Sequence, residues 1–414
     1  MSRIDDLIQE ICPDGVEYRI LNELGYIYGG LSGKTKSDFE NGNAKFISYM
    51  NVYSNIAVKT EVNDVVNVGE NENQNRIEIG DVLFTGSSET PDECGMSSVL
   101  TKDVKEPLYL NSFCFGFRLH NKMLFLPDFM KYLFRSDEMR RQIAQTASGV
   151  TRFNVSKKRF GKLVVPLPPI EVQQEIVKTL DLFTELEAEL EAELEARKTQ
   201  YTYYRDALLS FEGKEVDWKT LGEICTLITK GTTPQKFAET GVSFIKTEAF
   251  DGSNILRSKL SYIDELTHNT LLKRSILKDG DILFTIAGAT IGKIAIVTND
   301  ILPANTNQAL AIIRLRKEIN IKYIFYILRS DFMKQYIYQS AKGSAQPNLN
   351  LQQLNEFRLP FPSENEQERI VSILDKFDSL VNDISTGLPA EIKARKKQYE
   401  YYRNKLLTFK PIQN

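Results

Sequence analysis

The sequence predicts a mixed α/β chain: two globular domains separated by two long helices packed as an antiparallel coiled coil, in a pseudo-twofold repeat. Three observations carry this expectation. Residues 196–211 read ARKTQYTYYRDALLSF and residues 394–409 read ARKKQYEYYRNKLLTF, identical at eleven of sixteen positions. Both segments lie in stretches with a coiled-coil seam. The rest alternates short β-rich runs, Gly turns and amphipathic helices. At 414 residues the chain exceeds one ordinary domain. A period near 195 residues denotes a pseudo-dimer, not a solenoid.

The first domain is assigned to residues 1–165. It opens with the amphipathic MSRIDDLIQEI and carries the strand-and-turn run RIEIGDVLFTG and the helical run PDFMKYLFRSDEMRRQIAQ. Residues 166–213 follow as a long helix, entered after Pro166, Pro168 and Pro169, because proline is tolerated before or at a helix start but not inside. Ile176, Leu180, Phe183, Leu190, Leu194, Tyr201, Tyr204 and Leu208 step by three and four, which is a seam. From Glu171 to Leu209 a continuous helix runs ~58 Å at ~1.5 Å per residue. Its run ELEAELEAELEA (185–196) is strongly helix-forming and acidic, and reads both as a solvated face and as a spacer.

The second domain is assigned to residues 214–359. It answers the first at GDILFT (280–285) for GDVLFT (80–85), EVDWKTLGEI for GVEYRILNEL, LRSD for FRSD, and Asn348 for Asn154. Residues 360–414 form the second long helix, with the seam Ile370, Leu374, Phe377, Val381, Ile384, Ile392, Tyr399, Tyr402 and Leu406. Gly387 and Pro389 predict a kink near 387–389. The helix offset is 194 before the middle of the element and 198 after it. Between these landmarks the copies diverge. Two readers of different ligands on one framework give that pattern, and so does drift after duplication.

Composition is that of soluble globular protein, 42% hydrophobic and 26% charged. The net charge of −3 is unevenly spread: residues 166–213 hold 4 Lys+Arg against 11 Asp+Glu, and residues 214–359 hold 19 against 14. Bulk charge therefore leaves DNA binding open without supporting it. No apolar run approaches membrane length and no leader is recognised. Four dispersed cysteines fit reduced, buried thiols of a cytoplasm and disfavour a zinc site. Two histidines, His120 and His268, give little material for histidine catalysis or metal binding.

No catalytic constellation is recognised. TIAGATIG (285–292) lacks the G-x-G-x-x-G pattern and a Walker ending, and reads as a strand-ending turn. No G-x-S-x-G, H-E-x-x-H or Pro-Pro-aromatic methyltransferase motif is present. The chain alone is expected not to be an enzyme. Binding signals are softer. TLITKGTTPQK supplies Lys230, Thr232, Thr233 and Lys236 in a turn whose amides and hydroxyls suit phosphates. GGLSGKTKSDF places Lys34 and Lys36 in the corresponding part of the first copy. ASGVTRFNVSKKRF adds Arg152, Asn154, Lys157 and Lys158, and KGSAQPNLNLQQL adds Gln346 and Asn348. Asn, Gln and Arg make bidentate contacts with base edges. Each stretch taken singly also reads as an ordinary polar loop.

Together, the tyrosine-rich helix ends, the preceding QQEIVKTLD and EQERIVSILD, and the KGTTP turn resemble the specificity subunit of type I restriction-modification systems, over essentially the whole chain. The first copy departs from the turn with SGKTK. The resemblance implies two target-recognition domains, each reading one half of a bipartite double-stranded DNA site in the cytoplasm. It implies two methyltransferase subunits as partners, which carry S-adenosylmethionine and modify adenine N6. It leaves room for restriction endonuclease subunits as further partners. By the same resemblance this chain itself is expected to take no cofactor, no metal and no membrane. The repeated helix ends suggest a partner dock at Arg197, Lys198, Tyr204, Arg205, Arg395, Lys396, Tyr402 and Arg403; the alternative is that the tyrosines fill the seam. The runner-up function is a coiled-coil scaffold with protein- or glycan-binding domains.

Overall fold

A computed structural model of the chain describes residues 3–340, 348–383 and 386–412; Gln346 and Ile384 lie outside the described residues. The chain forms two compact units, residues 1–189 with 393–414, and residues 190–392. Each unit therefore contains a globular part, half of the central helix and part of the carboxy-terminal helical region.

Unit 1 is built on a four-stranded antiparallel sheet in the order Gly25–Gly29, Cys114–Leu119, Val82–Thr85, Ser97–Val99. A smaller sheet orders Val65–Val66, Ala44–Ile47 and Leu108–Leu110, the last pair parallel. Unit 2 repeats both. Its four strands run Cys225–Lys230, Leu310–Leu315, Ile282–Thr285, Ile294–Ile296, and its three run Ser261–Ile263, Val242–Ile245, Ala304–Thr306. Cover on both faces of the strand explains why VLFT and ILFT are buried throughout. Val82 and Phe84 face a core shared with helices, while Leu83 faces a second core under the small sheet. Ile282 and Phe284 versus Leu283 divide in the same way.

The shared Gly-Asp before each of these strands has a structural cause. Gly80 and Gly280 adopt φ +87° and +78°, where an L side chain is strained. Asp81 and Asp281 are fully buried, and each accepts two hydrogen bonds from one guanidinium: Arg118 on Asp81 at 2.8 and 2.6 Å, Arg314 on Asp281 at 2.7 and 2.7 Å. Each aspartate also takes a backbone N–H, from Glu78 or Lys278, at 2.8 Å. Unpaired, a buried carboxylate would cost far more than these contacts return.

The central helix runs Ile170–Leu209 without interruption. The carboxy-terminal region is two helices, Glu364–Asn382 and Leu388–Leu406. A side chain on Gly387 would meet the Ser379 carbonyl at 2.4 Å, so only glycine fits the break, and Pro389 sits in the first turn of the next helix, where its missing N–H costs nothing. Within unit 1, Ile176, Leu180 and Leu406 are buried together, and Lys396 reaches Glu187 at 3.2 Å while Tyr402 meets Phe183. The helices are therefore antiparallel there. Within unit 2, Tyr201 donates to Asp378 at 3.2 Å and packs in one core with Ile370, Leu374 and Val381. No helix of the described residues is long and apolar enough to cross a membrane.

Candidate nucleic-acid interface

In unit 1 four loops meet at one end of the four-stranded sheet. Gly29, Phe84, Phe115 and Ser97 are cross-strand partners at that end. Beyond them, Gly30 N–H donates to the Cys114 carbonyl at 3.3 Å, and Gly86 N–H to the Phe113 carbonyl at 2.8 Å. A Cβ on Gly30 would meet the Asn111 carbonyl at 2.1 Å, so the close approach of these loops requires glycine. The fourth loop returns through Asn154, which pairs with Ser87, and Arg152 Nε donates to Ser87 Oγ at 3.0 Å.

Unit 2 repeats this junction with different side chains. Gly231 N–H donates to Leu310, Thr232 N–H to Thr306 and Ile286 N–H to Ala309, at 2.9–3.1 Å. A Cβ on Gly231 would meet the Asn307 carbonyl at 2.2 Å. Asn348 bridges to Ala287, and Leu349 N–H donates to Ile286 at 2.8 Å. Asn154 and Asn348 thus occupy matched places beside the strands that end in Thr85 and Thr285.

The structure therefore places Arg152 and Asn154 at one sheet end, and Lys230, Thr232 and Thr233 with Asn348 at the other unit's equivalent end; the Lys34–Lys36 loop, a few residues beyond Gly30, is bonded to residues 67–74. Lys36, Arg152, Asn154, Lys157 and Lys158 are exposed, as are Lys230, Thr233, Lys236 and Asn348. Lys34 is turned to internal work. Its side chain is only 8% exposed, and its ammonium donates to the Asn67 carbonyl at 2.6 Å and to Glu72. That ammonium, with Gln74 and the Gly69 N–H, holds the Glu72 carboxyl down to about 2. Lys34 thus clamps its loop and offers no free charge to a phosphate. Thr232 is half-buried at the Gly231 crossing.

Sequence reasoning missed the turns Asn111–Phe113 and Asn307–Ala309. In both, the asparagine side chain caps the turn: Asn111 Oδ1 accepts from Phe113 N–H at 2.9 Å, and Asn307 Oδ1 from Ala309 N–H at 3.1 Å. Phe113 is 60% exposed and Gln308 is exposed. The signal was present: Asn111 with Arg118 and Asn307 with Arg314 share one offset of 196.

On the helices the structure separates inward from outward residues. Tyr204 stacks on Phe377 and Tyr402 on Phe183. Arg205 is buried against Asp206, and Arg403 pairs with Asp137 at 3.0 Å. These four serve the seam and its junction with the globular parts. Arg197 bonds Glu193 and Gln200 along its own helix, Lys198 pairs with Glu195, Lys396 with Glu187, and Arg395 contacts Gln398. Tyr203 (69%) and Tyr401 (64%) are the more exposed neighbours; Tyr204 keeps 41% exposure despite its stack on Phe377. Among the described residues no group of three His, Cys, Asp or Glu side chains could hold a metal ion.

A family profile described as "Type I restriction modification DNA specificity domain" matches residues 13–196 and again 214–394. The specificity subunit of an Escherichia coli type I restriction enzyme is 38% identical over 269 residues, 62% of this chain and 64% of that protein; the match thus spans just under two thirds of that relative. The fold is similar to a chain solved in work on the assembly and conformational transition of a type I restriction-modification system (TM-score 0.66, 19% identity, covering 95% of this chain and 97% of that one). It is also similar to the HsdS subunit from Thermoanaerobacter tengcongensis (TM-score 0.53, 18% identity, 95% and 96% covered).

Proposed function

The chain belongs to the type I restriction modification DNA specificity family, and from that premise we propose that it is the DNA-reading subunit of such a complex, each unit reading one half of a bipartite site. One observation supports this above the others. The two sheet ends share one crossing glycine (Gly30, Gly231), the capping asparagines and the loop order, yet present different side chains, Phe113 and Arg152 in one and Gln308 and Lys230 in the other. Matched frameworks with exchanged tips suit two different half-sites, because base edges are told apart by side-chain donors, acceptors and apolar groups. Exposed Lys36, Lys157, Lys158 and Lys236 would supply the sequence-independent phosphate contacts.

Methyl transfer to adenine N6 would belong to two methyltransferase subunits carrying S-adenosylmethionine, with endonuclease subunits joining them in the cytoplasm; this chain would be non-catalytic. The repeated outward pair Tyr203 and Tyr401 suits two like docking faces for two like partners. The central helix is the covalent link between the units, so its length would help set the gap between half-sites. Mapping methylated adenines in the host with and without this gene tests the whole reading. Loss of a bipartite motif on deletion is expected. A methylation pattern that ignores the gene overturns it in favour of a protein- or glycan-binding scaffold.

A further inference from the structure

Phe113 is a large apolar side chain held in the open by a turn that leaves it little freedom. Its own N–H is capped by Asn111 Oδ1, and its carbonyl accepts from Gly86 N–H at 2.8 Å. A Cβ on Gly86 would meet that carbonyl at 2.6 Å, so the two loops are locked at a distance only glycine permits. The Arg152 guanidinium lies over the ring at 6.0 Å from its centroid, and is itself anchored through Nε to Ser87 Oγ. The two Nη atoms of Arg152 have no hydrogen-bond partner among the described residues. The fold does not explain the exposure: the equivalent turn of unit 2 holds Ala309, and that unit closes the same junction without an aromatic. A lone exposed apolar side chain is ordinary in itself; what singles Phe113 out is its place at the loop junction beneath Arg152. Its backbone is pinned at both N–H and C=O, so little backbone entropy opposes its use in binding.

Resting on the DNA-reading role above, we propose that Phe113 is the apolar specificity contact of unit 1, packing on the C5-methyl of a thymine in its half-site, with the free edge of Arg152 on a neighbouring base. In the major groove the thymine methyl is the one apolar group a base pair presents, and a phenyl edge recognises it by burial alone. Arginine beside it suits the O6 and N7 acceptors of guanine. Unit 2, with alanine in that turn and Gln308 beside it, would read its half-site by other chemistry.

The test uses the subunit assembled with its methyltransferase partners and duplexes carrying the site found by methylation mapping. Each thymine of the two half-sites is replaced in turn by deoxyuridine, which removes only the methyl. Wild type is expected to lose about fourfold in affinity at one position of one half-site, the worth of a buried methyl. Phe113→Ala should bind more weakly and show no further loss at that position, while discrimination at the other half-site is unchanged, which also reports a folded subunit. Phe113→Leu should keep part of the methyl sensitivity. If Phe113→Ala keeps the same deoxyuridine penalties as wild type, or the unit 1 half-site contains no thymine, the proposal is overturned although the DNA-reading function stands. If methylation is independent of the gene, it is the function itself that fails.

Discussion

Tyr204 stacks on Phe377 with ring centroids 5.5 Å apart and planes 23° from parallel, and Tyr402 stacks on Phe183 at 5.3 Å and 21°. The two pairs are one pair written twice. Phe183 and Phe377 are related by the 194-residue offset, Tyr204 and Tyr402 by the 198-residue offset. Each seam joins the early part of one long helix to the late part of another, so the four extra residues fall between the paired positions and leave both contacts intact.

Offset-stacked aromatics contribute about 0.5–1.5 kcal/mol beyond their buried area. A double-mutant cycle on Tyr204→Ala and Phe377→Ala, read by denaturant unfolding, should give a coupling energy of about that size. The Phe183 and Tyr402 cycle should give a similar value. Strict additivity at both pairs would show that the rings merely adjoin.

Removing Asp281 leaves Arg314 without its buried bidentate partner, and Asp281→Ala should destabilise unit 2 by about 3–5 kcal/mol. Asp81→Ala should cost unit 1 at least as much, since Asp81 also accepts from Tyr28 at 2.6 Å. Calorimetry of each variant should show one transition lowered more than the other. Equal lowering of both by either substitution would refute the view that each pair stabilises its own unit.

Lys34 and Lys36 should behave oppositely in DNA binding. Lys36→Ala should reduce the slope of log K against log salt by about 0.9, as loss of one phosphate contact does. Lys34→Ala should leave that slope unchanged. Glu72 in the folded chain titrates at about 2, below its ordinary 4.5. Its contribution is present above the ordinary value and is lost as pH falls through about 2, so the clamp is intact at neutral pH. A slope change for Lys34→Ala equal to that of Lys36→Ala would contradict the clamp.

Burial pushes the Cys114 and Cys225 thiols up to about 12, and also raises Cys94 and the half-buried Cys12. Thiolate is the reacting form. At pH 8 the native chain should be alkylated slowly, first at Cys12, and fully only in denaturant. Rapid native labelling of Cys114 or Cys225, followed by mass spectrometry, would be incompatible with their packing.

Deleting one Glu-Leu-Glu-Ala unit from residues 185–196 shortens the central helix by ~6 Å, close to two base pairs at ~3.4 Å each. The methylated motif should keep both half-sites and lose about that much gap. An unchanged gap on sequencing would sink the spacer role.

Local sequence specifies the elements of this chain unevenly. The central helix was legible to within one residue, from Ile170 rather than Glu171 to Leu209, because prolines and a sustained seam are local signals. Asn154 and Asn348 were matched by sequence position, and both indeed lie beside equivalent strands. Phe113 and Gln308 escaped notice because a single exposed residue in a turn has no periodicity to announce it. Lys34 resembled a free cation because Glu72, its partner, is 38 positions away. Tyr203 and Tyr204 are not ranked by sequence because adjacent helical residues differ by ~100° of rotation, and only the Phe377 ring shows that Tyr204 is the one that stacks.

Sequence alone determined the repeat, the long central helix, the break near Gly387 in its counterpart, the seam and the strands that open with Gly-Asp, since each rests on local periodicity, on a helix-breaking residue or on identity between copies. Tertiary structure decided which loops share a sheet end, which cations remain free and which tyrosines face outward. The reason is physical: an antiparallel ladder joins Gly29 to Phe115 and Phe84 to Phe115 across stretches of chain whose own preferences carry no record of the pairing.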